Sequence, residues 1–404
     1  MSNSSMPQSD HTITDYHEAS KALREKNLRQ ALYDEGAVIM QDVLVNLHGT
    51  EHRARRNLET KVFRRDFFKY YELEVFPKTL AETLAPYVTA GGMDLVDFGY
   101  RVMVNLTADF TGIDRPLKTP EETGDLMSLL RLFGRTATLA HATIDRDEVR
   151  AEALAALQRF DETYIQPSIN TRLALLEKFS SGDIAEEDLP RDILMVLLRN
   201  EDSVDIPREV LTREMAFFGL AGAHTSIHTL AHALNETLTW VESHPEDREK
   251  IRRDKRFIQR CVLESIRLHP SSPIAARRSM CPMTLPTDVS IPEGESVVID
   301  LQTANQSTEV FGDDAAIFNP NRELAKGLPP YGLSFGQGMH ACLGLNLAAG
   351  VLASPGEQPE HMGTIALIVS ALFDKNVAPD ASQQAEKDAT TNRDLWAYYP
   401  LTLS

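Results

Sequence analysis

The 404-residue chain is poor in cysteine and tryptophan and short of positive charge. Three cysteines, Cys261, Cys281 and Cys342, cannot staple a chain of this length, and an odd count points to a reducing compartment. Lysine and arginine number 41 against 59 acids, a net charge of −18. Such a field repels phosphate backbones and argues against nucleic acid as a general partner. The most apolar late stretch, Ile365 to Phe373, falls far short of the roughly 20 residues a bilayer span needs. The polar start, MSNSSMPQSDHTITDYHE, lacks the basic-then-apolar order of a signal peptide. These absences predict a soluble, cytoplasmic protein with no membrane segment. What is present is ordinary: 42% hydrophobic and 25% charged residues describe a globular chain.

Residues 1–14 read as a flexible lead-in, and 15–404 as a single mainly α domain. Helical periodicity runs from Asp15 to about Asp254. The strongest element starts at Pro207 and ends near His244, before Pro245, with proline as both start and stop signal. Its centre, Met215 to Thr225, is apolar nearly all round and is expected to be buried. A second helix is predicted over 246–268. Residues 271–334 are rich in Pro, Gly and short β-branched runs such as Ser296-Val-Val-Ile299, which read as strands and turns. A helix should start at Leu345, be interrupted by Ser354–Pro359 and resume near Met362. The tail Trp396–Leu403 suits a terminal strand.

The most informative segment is Phe335-Gly-Gln-Gly-Met-His-Ala-Cys-Leu-Gly344. Gly336 and Gly338 allow a sharp turn and close backbone approach. Cys342 then precedes a helix start, where free amides and the dipole favour thiolate over thiol. With no second cysteine or histidine at ligand spacing, this is not a zinc site. The cysteine suits either a nucleophile or a lone axial ligand to a metal that brings its own other ligands, as haem iron does.

At this loop the chain resembles the cytochromes P450, haem-thiolate monooxygenases of soluble bacterial type. Phe335, Gly336, Gly338, His340, Cys342 and Gly344 fill all six positions of that signature. The resemblance implies a mainly α helical prism with a small β region, binding haem b (iron protoporphyrin IX). It implies Cys342 as proximal iron ligand, His340 as a haem-propionate contact and Phe335 packed beside the thiolate. The pair Glu264-Ser-Ile-Arg267, completed by Arg322 of Phe318-Asn-Pro-Asn-Arg322, resembles the family's buried structural cluster, and Ala304-Asn-Gln-Ser307 its short Ala-Asn stretch. By the same resemblance Arg277, beside Arg278, binds a propionate, and His52 and Arg56 of Gly49-Thr-Glu-His-Arg-Ala-Arg-Arg56 are further candidates. The variable loop shaping substrate access would lie between about Asn27 and Asn46. The N-terminal sheet, with fewer residues before His52 than usual, is expected to be incomplete.

In the long helix, Ala221-Gly-Ala-His-Thr225 resembles the oxygen-activation motif. The resemblance implies that Gly222 makes room for dioxygen, that Thr225 hydrogen-bonds it and relays a proton, and that Leu220, Ala221 and Thr225 face the distal pocket. The motif's acid is replaced by His224, which reads either as a surrogate proton relay or as a helix histidine with a structural bond. His228 and His232 continue its row, without nearby carboxylates in sequence to suggest a metal. Between Glu51 and Tyr70, seven cations (Arg53, Arg55, Arg56, Lys61, Arg64, Arg65, Lys69) face three acids. On an acidic protein this island is where the family resemblance puts a ferredoxin-type electron donor. The implied activity is hydroxylation of a small to medium apolar substrate with dioxygen. The rivals are a peroxide-using or non-oxygenating haem-thiolate enzyme and a non-catalytic partner-binding protein.

Overall fold

Start and stop signals in the sequence translate closely into elements in the computed structural model. It describes residues 11–201, 205–354 and 356–404, excluding the side chains of Arg65 and Asp66. The long helix spans Arg208–Ser243, its first amides bonding the Pro207 carbonyl. The helix predicted over 246–268 is two, Asp247–Arg253 and Lys255–Leu268. Asp254 separates them because its carboxylate takes the amides of Arg256 and Phe257, a local bond that competes with helix continuation.

The chain forms two compact units, each discontinuous in sequence. The first comprises residues up to Ala31, Phe68–Gly99 and Thr225–Ser404; the second comprises Leu32–Phe67 and Tyr100–His224. Neither boundary coincides with a linker-like composition, because each unit is assembled from distant segments.

In the first unit a four-stranded sheet runs, in spatial order, His11–Ile13, Ser296–Asp300, Ile274–Ser279, Leu28–Gln30. Residues 11–13, expected within the flexible lead-in, are instead a strand paired in parallel with Val297–Ile299. Residues 1–10, the rest of that lead-in, lie outside the described residues. Leu28–Gln30, expected in a variable loop, pairs antiparallel with Arg277–Ser279. Both N-terminal strands therefore find partners late in the chain, and Ile13, Leu28, Val297 and Ile299 share a core with Tyr16, Ala19, Ala22 and Leu23 of helix Tyr16–Arg24. The tail is not one strand but two, Trp396–Tyr398 and Pro400–Thr402, which join different sheets.

The helix after Cys342 is only Leu345–Ala349. It stops earlier than the Ser354–Pro359 interruption, at Gly350, whose φ is +69° and where an added Cβ would run into the His361 carbonyl oxygen. Gln259 Nε2 donates to the carbonyls of Ala349, His361 and Met362, while the Glu72 carboxylate accepts from the amides of Met362 and Gly363. The excursion is thus clamped at both ends, and helix Thr364–Phe373 follows.

The strongest polar knot of this unit is on helix Lys255–Leu268. Arg267, with no exposed surface, donates from Nε and Nη2 to Glu264 at 2.9 and 2.7 Å and from Nη1 to the carbonyls of Asn305 and Ala315. Arg322 Nε reaches Glu264 Oε1 at 3.1 Å, and its other nitrogens take the carbonyls of Phe311, Asp314 and Ile317.

In the second unit, helix Pro120–Ala137 is capped by Thr119, and the unit also holds Gly49–Glu59, Arg146–Phe160, Gln166–Ser181, Ile193–Arg199 and the first half of the long helix. Here Glu214 is fully buried, accepting from the Leu44 amide and from Arg55 Nη1 at 2.9 Å. A second buried carboxyl, Glu59, faces it. One cation cannot hold two buried carboxylates ionised. Glu214 has the amide and the guanidinium, so burial and then the Glu214 charge push Glu59 well up, against weaker pulls from Arg55 and Arg56.

Two outcomes follow. Glu264→Ala leaves two buried guanidiniums without their carboxylate and should cost about 3–5 kcal/mol in denaturant unfolding; a loss below about 1 kcal/mol would contradict the knot's role. For Glu59 the folded pKa lies above its unfolded 4.5, so stability is greatest below that pH and falls as pH rises toward the folded value. Glu59→Gln should flatten that fall and unfold at a higher temperature than the parent on the alkaline side; parallel pH profiles would refute it.

Candidate functional site

The residues singled out in the sequence divide between the units. Phe335, Gly336, His340, Cys342, Gly344, Arg277 and Thr225 belong to the first; His52, Arg56, Ala221, Gly222 and His224 belong to the second.

The cysteine loop is fastened from three sides. Asn305, held by Arg267, donates Nδ2 to Ser334 Oγ and accepts the Leu333 amide on Oδ1, and Ser334 in turn bonds the Ile266 carbonyl. At the tip, Gln337 Oε1 accepts from Ser20 Oγ and Arg24 Nε, both at 2.8 Å. Gly338, at φ +70°, lies so close that a Cβ would be 2.9 Å from the Leu23 carbonyl oxygen. The Cys342 amide donates back to the Phe335 carbonyl at 2.9 Å, closing the loop on itself. Phe335 packs edge-on to Tyr331 at 5.0 Å, and His340 is half-buried.

Of the three cysteines, Cys342 is the exposed one, Cys261 being buried and Cys281 intermediate. Burial pushes the Cys261 thiol far above its ordinary range, which leaves it inert. Gly344 is not demanded by a positive φ; a Cβ there would sit 3.9 Å from Cys342 Sγ, so glycine keeps that flank of the sulfur open. The five-residue helix behind the cysteine gives only its first-turn amides, a weaker dipole than the sequence suggested. Among the described residues, no group of three metal-ligating side chains includes Cys342. An accessible sulfur outside any such group fits a porphyrin, whose own nitrogens complete the iron's coordination, better than a protein-built metal site.

Strand Ile274–Ser279 places adjacent arginines on opposite faces. Arg277 is buried, its Nη1 on Gln30 Oε1 at 2.5 Å, whereas Arg278 is half-exposed and bonds the Gly294 carbonyl. In the second unit His52 is buried on helix Gly49–Glu59, and Arg56 is half-buried one turn on. Burial, then the nearby Arg56 charge and His48, lower the His52 pKa to about 4, so its ring is neutral and acts as a hydrogen-bond group rather than a cation. The basic island is smaller than the sequence count, because Arg55 and Glu59 are buried with Glu214. Arg53, Lys61, Arg64 and Lys69 are exposed, and the Arg65 side chain lies outside the described residues.

The centre of the long helix is not buried all round. Ala221 and Gly222 are half-buried and Thr225 is exposed, while Leu220, expected on the same face, is buried. The missing Cβ of Gly222 is explained by packing: it would lie 2.9 Å from Thr107 Oγ1 and 3.1 Å from Phe110. His224 is buried, its Nδ1 hydrogen-bonded to Tyr100 Oη at 2.8 Å, with Arg131 over the Tyr100 ring and Gly134 too near its ring to carry a Cβ.

Sequence reasoning missed the partners of Thr225. Thr229 Oγ1 and Ser271 Oγ lie within hydrogen-bond reach of its carbonyl, at 2.9 and 3.0 Å, and 2.8 Å from each other, so their two protons make two of these three bonds at a time. Arg393 Nη1 donates to the Ser271 carbonyl. Thr229 carries a faint signal, being one turn from Thr225; Ser271, Tyr100 and Gln337 carry none, since their partners are far away in sequence.

Comparison with known proteins bears on the whole chain. The family model "Cytochrome P450" matches residues 155–351. Pulcherriminic acid synthase of Bacillus subtilis is 24% identical over 357 residues, covering 83% of this chain and 78% of the relative. The putative cytochrome P450 123 of Mycobacterium tuberculosis is 31% identical over 208 residues, 50% of this chain and 49% of that protein. The structure of substrate-free CYP109E1 from Bacillus megaterium superposes with a TM-score of 0.73 at 18% identity, covering all of this chain and 97% of that one. No helix among the described residues is long and apolar enough to cross a membrane. A cysteine loop with this motif, a fold shared along its length and relatives of one kind converge: the chain belongs to the cytochrome P450 family of haem-binding, haem-thiolate monooxygenases.

Proposed function

We propose that this P450 hydroxylates a small to medium apolar molecule with dioxygen, in the cytoplasm, using electrons from a ferredoxin-type donor, and that both compact units belong to its one P450 domain. The observation that carries the reading is Cys342, an exposed thiol on a loop anchored through Asn305 and Gln337. When bound, the haem supplies the oxygen activation and C–H oxidation, with the thiolate donating electron density.

The chain's own residues supply position and protons. Cys342 would hold the haem iron through its sulfur, Phe335 would shield that sulfur, and the open flank at Gly344 would leave room for a flat group beside it. Arg277 and Arg56 provide positive charge for the propionates, with His340 and neutral His52 as hydrogen-bond donors. Thr225 is the hydroxyl of the oxygen side, and Ala221 lies one turn before it on the exposed face. Thr229 and Ser271 hold the Thr225 carbonyl and so set the local helix geometry. His224 is engaged with Tyr100, which supports the reading in which it fixes the helix rather than relaying protons to Thr225. Exposed Arg53, Lys61, Arg64 and Lys69 support docking of an acidic donor, whose encounter opposite charge would steer.

Cys342→Ser should abolish the red-shifted Soret band of the reduced carbonyl adduct after haem supplementation; a protein that keeps that band without the sulfur would overturn the assignment. Thr225→Ala should lower product formed per electron consumed by roughly ten-fold or more, while His224→Ala should leave that ratio near the parent's. Turnover that needs only peroxide, indifferent to NAD(P)H-derived electrons, would instead favour the non-reductase reading.

A further inference from the structure

The histidine row of the long helix does not act as a row. His232 turns away to meet His269, the C-cap of helix Lys255–Leu268. The two rings stack in parallel, with centroids 4.3 Å apart and an interplanar angle of 5°. His232 Nε2 bonds the backbone carbonyl of Asp394 at 2.6 Å, and His269 Nε2 bonds Glu236 Oε1 at 2.7 Å. Glu236 lies one turn beyond His232 on the same helix. One potential ligand atom each from His232, His269 and Asp394 lies within 4.8 Å of the other two. All of these residues belong to the first unit.

We propose that His232, His269 and Asp394 form a binding site for a divalent transition-metal ion of the Zn²⁺ class, separate from Cys342, with Glu236 as the carboxylate that orients or joins the ligand set. Two imidazoles with one or two carboxylates match the preference of Zn²⁺, Co²⁺ and Ni²⁺ and not the all-oxygen sets of Mg²⁺ or Ca²⁺. A histidine held by a carboxylate or a backbone carbonyl is the usual outer-shell arrangement of metal-ligating histidines. Because parallel rings cannot aim two lone pairs at one point, ligation rotates a ring out of the stack. Access is through Asp394, whose side chain is 60% exposed, while His232 is nearly buried.

The ion's one competitor among the contacts shown is Lys387, whose Nζ lies 2.6 Å from Asp394 Oδ1 and also sits over the Trp396 ring. The three ligands come from the long helix, a helix end and the C-terminal segment. An ion joining them would close long chain loops and stabilise the folded state. The role is structural and does not depend on the reading of the haem side.

The test uses the haem-loaded chain, so that Cys342 is engaged by iron, stripped of adventitious metal with a chelator. Titration with Zn²⁺ or Co²⁺ by calorimetry should show saturable binding of one equivalent and a raised unfolding temperature, with Mg²⁺ as the unresponsive control. His269→Gln and Asp394→Asn should each weaken binding by at least about ten-fold, whereas Lys387→Ala should tighten it by freeing Asp394. Absence of saturable Zn²⁺ or Co²⁺ binding, or binding that both ligand variants leave undiminished, overturns the site.

Discussion

A guanidinium with no surface left for water must find its acceptors within the protein, and Arg267 does so here. Its partners are two oxygens of Glu264 and the carbonyls of Asn305 and Ala315, and Glu264 is shared with Arg322. A buried cluster of this kind is not a strong net source of stability, because desolvation offsets much of the attraction. Its effect is to allow few alternative arrangements. Segments near 264, 305, 315 and 322 are tied together at this one cluster. Asn305 then passes that constraint to Leu333 and Ser334, and so to the backbone that presents Cys342. The Cys342 sulfur is exposed, but the loop beneath it is tied to charges that are not.

The long helix meets two opposing demands. At Glu214 it buries a carboxylate that needs Arg55 and the Leu44 amide. Two turns later, at Ala221, Gly222 and Thr225, it opens on one side. Small residues serve both neighbourhoods, since Gly222 admits Thr107 and Phe110 on one flank while Ala221 and Thr225 leave the other accessible. Histidine at 224 fits the packed side: its partner is Tyr100, and Gly134 makes room for its ring. A carboxylate in that buried place would need a cation, and Arg131 stacks on Tyr100 instead.

Much of the fold was legible because its signals are local. Pro207 announces the start of the long helix, whose first amides bond its carbonyl. The Glu264–Arg267 pair lies on one helix face and could be read directly, and its completion by Arg322 came from resemblance. The break at Asp254 was missed because a capping aspartate and an ordinary helix aspartate look alike in sequence. The strand His11–Ile13 was missed for a different reason: three residues form a strand only when Val297–Ile299 lie beside them, and no local pattern reports that. The true stop at Gly350 depends likewise on His361 approaching from beyond an excursion.

The amino-acid order by itself determined which candidate groups the chain carries: the cysteine and its flanking glycines, the threonine at 225 and the histidine where the resemblance expects an acid. These are residue types at short spacing, and their identity is written into the covalent chain. Tertiary structure alone decided which of them have support and which neighbours they meet. Gln337 finds Ser20, Ser271 finds the Thr225 carbonyl, and His232 leaves its own helical row for His269. Such pairings depend on how distant segments pack to satisfy buried polar groups, and a linear sequence contains no record of that distance.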